Sequence, residues 1–233
     1  VRTGGLHILA VGAALATLHG EPGIAALPQD PTTLRAISQD FGKCIVNKRR
    51  LKPIAVRFVL YGETRDARLI INFDCFGTVL DENMPGGERN LQARWSQREF
   101  RALVADGLVQ SDFAASGPTD FSAIPALNHE PGITRASDGS PLSSEQMQGE
   151  VALATLGECA ARRDPEGVRL MAQTAVGTPE ELTSLRQLAP AFGACMKGGQ
   201  TLEFPRAVLR QTAVVAYARL AYSLPGASQE VHY

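Results

Sequence analysis

Apolar residues recur at helical spacing along most of this chain. Leu34, Ile37, Phe41 and then Cys44 with Ile45 form one stripe, the three-and-four spacing of a helix with a single buried face. Asp30-Pro31 stands before it, an N-cap residue followed by a first-turn proline. Phe100, Leu103, Val104 and Leu108 give a further stripe near residues 96–110, behind Trp95, which reads as an anchor at the core edge. Leu153, Leu156 and Cys159 with Ala160 predict another helix. Thr178-Pro179-Glu180-Glu181 is a capping box opening a stripe of Leu182, Leu185, Ala189, Phe192 and Met196. Pro190 predicts a kink or break there. A last helix is expected over residues 205–222, with Leu209, Ala213, Ala216 and Leu220 inward.

Residues 54–76 read two ways. Two runs rich in Val, Ile and Phe flank a short turn at residues 62–66, the pattern of a β-hairpin. Their counterparts later in the chain, Val168 to Gln173 and the segment after Pro179, are helical in composition, so helices are expected in both places. Residues 77–90, with Pro85-Gly86-Gly87, predict a loop, and residues 111–144, rich in Ser, Pro, Gly and Asp, a connecting segment.

Those counterparts belong to a wider self-similarity. Phe41-Gly42-Lys43-Cys44 faces Leu156-Gly157-Glu158-Cys159, and Phe192-Gly193-Ala194-Cys195 repeats the spacing. Pro53-x-x-Val56-Arg57-Phe58 faces Pro165-x-x-Val168-Arg169-Leu170, and Glu99-Phe100-Arg101-Ala102-Leu103-Val104 faces residues 203–209 with one inserted proline. Three motifs in the same order predict an internal duplication. Arg57 and Arg169 recur at matched positions, which points to a structural salt bridge or a hydrogen bond to a loop carbonyl.

Composition narrows the class. A chain of 233 residues, 44% hydrophobic, can bury a substantial core, and 6% aromatic content suits helices more than sheets. A net charge of -1 gives no global reason to expect a nucleic-acid partner. Arg2, an apolar run over residues 6–18 and a polar, proline-bearing stretch have the layout of a secretory signal peptide. Cleavage would follow Ala16 or Ala26; the run is too short for a membrane span, and the alternative is a buried N-terminal helix. An even cysteine count fits export, because disulfides persist in oxidising compartments. Of the three pairings open to Cys44, Cys75, Cys159 and Cys195, duplication favours Cys44 with Cys75 and Cys159 with Cys195. Zinc is disfavoured, with no Cys-x-x-Cys pair and no histidine at ligand spacing.

Candidate chemistry is sparse. The sequence holds no Gly-x-Ser-x-Gly elbow, phosphate loop, dinucleotide fingerprint or His-Glu-x-x-His, so no catalytic, cofactor-binding or metal residue is assigned. His129 reads as a solvated loop residue. Lys48, Arg49, Arg50, Lys52 and Arg57 lie in a stretch without acidic residues and are candidate anion-binding groups; the bland reading is a solvated face with helix-end charges.

The ordered set of Leu-Gly-x-Cys, a basic pair, Pro-x-x-Val-Arg and a second Gly-x-Cys resembles small exported bacterial proteins of unassigned function. It covers most of the chain after residue 30 and is clearest in the second half. The resemblance implies helical repeats and export and brings no activity or site residue with it. The expected molecule is all-α, with a signal peptide over 1–26, a disulfide-stapled helical repeat over 27–110, a connection over 111–144 and a second repeat over 145–233, each repeat of about four helices. The leading function is a periplasmic or secreted, non-catalytic interaction protein without cofactor, its partner an unidentified envelope or secreted protein. One alternative is an envelope hydrolase whose carboxylates and His129 meet only in the fold. The other is a binder of anionic surfaces through the basic stretch. No sequence-specific nucleic-acid binding and no span in the mature chain are expected.

Overall fold

The computed structural model describes residues 31–71, 74–75, 96–129, 140–196 and 204–225. Regular structure among them is helical, apart from an isolated bridge at Pro141. Among the described residues, the helices before the connection include α1 (Pro31–Asn47), α2 (Lys52–Tyr61), α3 (Thr64–Ile70) and α4 (Gln97–Asp112). Those after it include α5 (Ser144–Arg163), α6 (Pro165–Gln173), α7 (Pro179–Cys195) and α8 (Arg206–Ser223). Residues 54–71 are therefore helical, with no hairpin, and Gly62, at φ 71°, makes the left-handed turn between α2 and α3. The signal-peptide reading, the loop at residues 77–90 and Trp95 lie outside the described residues.

The helix starts follow local chemistry. Ser96 with Glu99 and Ser143 with Gln146 form reciprocal capping boxes at α4 and α5. Asp164 caps α6 and Thr178 caps α7, each followed by proline in the first turn. In α7 the break that Pro190 could have made is absent, and the buried line differs from the one expected. The helix continues through Pro190 without breaking. Proline removes the donor that would serve the Arg186 carbonyl, but Arg186 and Pro190 both face solvent, where water can serve it instead. Ala189 is exposed too, and the buried line is Glu181, Leu185, Leu188 and Phe192.

Two close helix crossings organise the packing. In the first half α1 crosses α4 backbone to backbone: a Cβ on Gly42 would fall on the Leu103 carbonyl, and one on Gly107 would sit 2.7 Å from the Gly42 carbonyl. In the second half α5 crosses α8, and a Cβ on Gly157 would fall on the Thr212 carbonyl. Glycine at these points lets apolar faces meet at full depth on either side. Phe41, Ile45, Leu108 and Val104 close round the first crossing, and Ala160, Ala161, Ala213, Ala216 and Leu220 round the second, all within one cluster. α8 also packs on α4, α2 and α6, which joins the halves into a single core.

Each half carries one disulfide. Cys44 of α1 is bonded to Cys75, and Cys159 of α5 to Cys195 at the end of α7. Their Cα separations are 5.6 Å and 5.9 Å, and the loops closed span 31 and 36 residues. Loops of that length stabilise by about 3 to 4 kcal/mol each in the chain-entropy model. The connection is not all solvated. Phe121 and Ile124 are buried, and Phe121 packs edge-on against Tyr217.

The crossings predict opposite effects for one substitution. Gly42→Ala, Gly107→Ala and Gly157→Ala should each cost about 1 to 3 kcal/mol by overpacking, seen as a fall in Tm of several degrees. Gly149→Ala, on α5 with no atom near its Cβ position, should raise Tm slightly by helix propensity, up to about 1 kcal/mol. Equal effects at all four positions would contradict the crossings.

Candidate functional site

Between the halves lies a polar network within an apolar surround. Arg210 of α8 is only 3% exposed. Its Nη2 donates to both carboxylate oxygens of Asp106 on α4, at 2.9 and 3.0 Å, and to the carbonyls of Ala172 and Thr174. Its Nη1 donates to the Met171 carbonyl and to Thr174 Oγ1, and lies 3.5 Å from Glu181 Oε1. Arg210 thereby satisfies carbonyls left open at the end of α6, where positive charge is favoured. Asp106 also accepts from Gln39 of α1 at 2.9 Å and from Gln110 at 3.1 Å.

Glu181, fully buried, does more than its place in the capping box implied. Thr178 Oγ1 accepts from the Glu181 N–H, but the Glu181 carboxylate reaches the Gly177 N–H at 2.8 Å and accepts from Arg35 of α1 at 2.8 Å. The four charges balance in sign. Gln39 completes the set, donating to the Thr174 carbonyl and accepting from Val176 N–H. Burial pushes the Asp106 carboxyl up, against the pull of Arg210 and Gln39. A half-open cleft of about 120 Å³ reaches this network, with Arg35, Ser38, Gln211 and Glu99 at its polar wall and Leu103 and Val214 at its apolar one.

A second cluster fastens the connection. Glu158 on α5 accepts from His129 Nε2 at 2.6 Å, from the Leu127 N–H at 3.1 Å and from Arg162 Nε at 2.8 Å. Arg162 donates onward to the Phe121 and Pro125 carbonyls, and Arg219 of α8 to the Asn128 carbonyl. The His129 side chain is 11% exposed, so the expected solvated residue is instead largely covered and held by Glu158. Burial holds its pKa below the ordinary 6.5, against the pull of Glu158. Nε2 of the ring meets Glu158 and Nδ1 lies 3.5 Å from Arg219. Arg101 sits near the same cations without a carboxylate partner in the network. Burial, with the Arg219 charge, lowers its pKa to about 9. It donates to the Val59 and Leu60 carbonyls at the end of α2, a C-terminal cap made from a neighbouring helix.

The basic stretch divides. Lys52 pairs with Asp112, and Arg57 forks onto Asp66. Lys48, Arg49 and Arg50 are exposed in the α1–α2 turn. The recurring arginines both do structural work: Arg169 forks onto Glu166 and donates to the Phe113 and Ala114 carbonyls.

Sequence reasoning missed Asp106, Glu181, Arg210, Arg35 and Gln39 as a group. One signal was present. Asp106 is the lone charge in the otherwise apolar run Ala102-Leu103-Val104-Ala105-Asp106-Gly107-Leu108-Val109, and a carboxylate there needs a buried cation. Among the described residues no three His, Cys, Asp or Glu side chains gather as a metal site, and no helix is long and apolar enough to cross a membrane. Comparison of the chain with protein-family models, curated proteins and solved structures finds no match.

Two predictions test these clusters. Asp106→Ala or Arg210→Met alone should destabilise by about 3 to 5 kcal/mol in urea unfolding, because each strands a buried charge, while Asp106→Leu with Arg210→Met should cost clearly less than the sum. Additive costs would contradict the pairing. For His129, the lowered pKa means the unfolded chain binds the proton more readily. Its stability contribution is complete above about pH 6.5 and is lost as pH falls through the lower folded value. Tm should therefore decline between about pH 7 and pH 5, and His129→Gln should flatten that slope. An unchanged slope would place the titration elsewhere.

Proposed function

We propose that this is an exported, non-catalytic interaction protein built from two copies of one helical unit. One observation carries the binding reading: the buried groups with the chemistry for acid–base work already hold helices together. Both oxygens of Asp106 face Arg210, Glu181 is held by Arg35 and Gly177, and both nitrogens of His129 are turned to Glu158 and Arg219. A hydrolase needs a carboxylate or imidazole free to meet a substrate. His129 does converge with Glu158, but Glu158 is shared with Arg162 and the Leu127 N–H, and its pKa is held low. Burial raises it, and those hydrogen bonds together outweigh that.

Two disulfides support export, since such bonds persist in oxidising compartments. The duplication is supported by corresponding joints. Gly42 and Gly157 each stand two residues before a disulfide cysteine, and each is crossed by the last helix of its half, at Gly107 and Thr212.

Fractionation of the native host, followed by non-reducing peptide mapping, tests the proposal. The expected result is a protein outside the cytoplasm with Cys44 linked to Cys75 and Cys159 to Cys195, captured with a partner by crosslinking in intact cells. Four free thiols in a cytoplasmic fraction would overturn it.

A further inference from the structure

The α2–α3 corner gathers features that the two buried clusters leave unused. Four large apolar side chains are exposed among the described residues, and three belong to this corner: Tyr61 at 64%, Leu69 at 49% and Ile71 at 42%. Scattered single apolar residues on a surface need no explanation, but a grouped set does. Around them the charge is one-sided. Residues 48–71 carry seven basic side chains and two acidic ones, in a chain whose net charge is -1. Asp66, one of those two acids, is 1% exposed and spent on Arg57, and only Glu63 faces solvent.

Two covalent or charged links tie the segments that carry these residues. The Arg57–Asp66 fork ties α2, which carries the exposed Tyr61 one turn after Arg57, to α3, which carries the exposed Arg65, Arg68 and Leu69. Cys75, four residues after Ile71, is bonded to Cys44, four residues before Lys48. Lys48, Arg49 and Arg50 are exposed in the turn that joins α1 to α2.

We infer that this corner docks the protein onto an anionic phospholipid surface, with Lys48, Arg49, Arg50, Arg65 and Arg68 at the headgroups and Tyr61, Leu69 and Ile71 inserted at the headgroup–acyl boundary. The inference rests on the reading that the protein works by binding, and names the surface. Exposed aliphatic side chains among cations decide the partner. Insertion beneath headgroups buries Leu69 and Ile71, whereas a nucleic-acid backbone meets the cations and offers those two nothing. Tyr61 suits the boundary, with a ring that is apolar at one end and hydrogen-bonding at the other.

Sedimentation of the full disulfide-bonded chain with phosphatidylcholine vesicles, with and without phosphatidylglycerol, tests it. Binding is expected only with phosphatidylglycerol, and should weaken steeply between about 0.05 M and about 0.5 M salt as the screening length contracts. Each basic side chain at such a surface contributes roughly fivefold. The variant Lys48→Glu/Arg49→Glu/Arg50→Glu should therefore lower the partition coefficient by about a hundredfold or more. Reversing the exposed Arg163, Arg186 and Arg206 of the second half to Glu gives the same net charge and should leave most of the binding. Tyr61→Ser/Leu69→Ser should weaken what survives at high salt. Absent binding, equal binding to neutral vesicles, or equal loss in both reversed variants overturns the inference, as does displacement from vesicles by duplex DNA that binds the corner more tightly. Those failures leave the disulfide map and partner capture untouched, so the two proposals fail separately.

Discussion

The arrangement of this protein depends on a buried pair of charges, Arg210 and Asp106, contributed by opposite halves of the chain. Taking a guanidinium and a carboxylate out of water costs several kcal/mol each, and only close geometry with further hydrogen bonds offsets that cost. Here the offset is supplied by groups from several elements: Gln39 on α1, Gln110 on α4, carbonyls at the end of α6, and Glu181 with its partner Arg35. Each supplier must hold its place for the pair to be tolerated. The network therefore specifies how α1, α4, α6, α7 and α8 sit together more sharply than apolar packing alone would, because apolar faces accept more than one register.

The two disulfides and the glycine crossings work at a lower level. Gly42 on Gly107 and Gly157 on Thr212 set how closely the first and last helix of each half approach. Cys44–Cys75 then ties that first helix to the chain beyond α3, and Cys159–Cys195 ties its second-half counterpart to the end of α7. With the halves internally fixed, the polar network governs the interface between them, and the His129–Glu158–Arg162 cluster lays the connection over α5 and α8. The surface left over is uneven. Lys48 to Arg50 and the α2–α3 corner concentrate cations and exposed apolar side chains in the first half, whereas Arg162 and Arg169 in the second are drawn into internal contacts.

Much of the architecture was legible because it rests on short-range regularities. The stripe through Ile37, Phe41 and Ile45 is buried as its spacing demands, and helix starts at Pro165 and Pro179 follow proline chemistry. Residues 54–71 show the limit of local reading. Their Val- and Ile-rich runs suit a hairpin, and only comparison with the matching second-half segment favours the helices found. The buried network was illegible because its members lie far apart in sequence, as Arg210 and Asp106 do, and each alone looks ordinary. Arg210 reads as a charge bordering an apolar run, Glu181 as half of a capping box, His129 as a loop residue. Only Asp106, stranded among apolar neighbours, carried a local sign of its role.

The central claim, that a shared ion network makes one cooperative body of the two halves, is tested most directly by native-state hydrogen exchange followed by peptide mass spectrometry with both disulfides intact. Amides of α4 and of α8 should exchange through the same opening event, with one free energy and one dependence on denaturant. Exchange in which α8 opens at markedly lower denaturant than α4 would contradict it, and would mean that each half stands on its own disulfide and crossing.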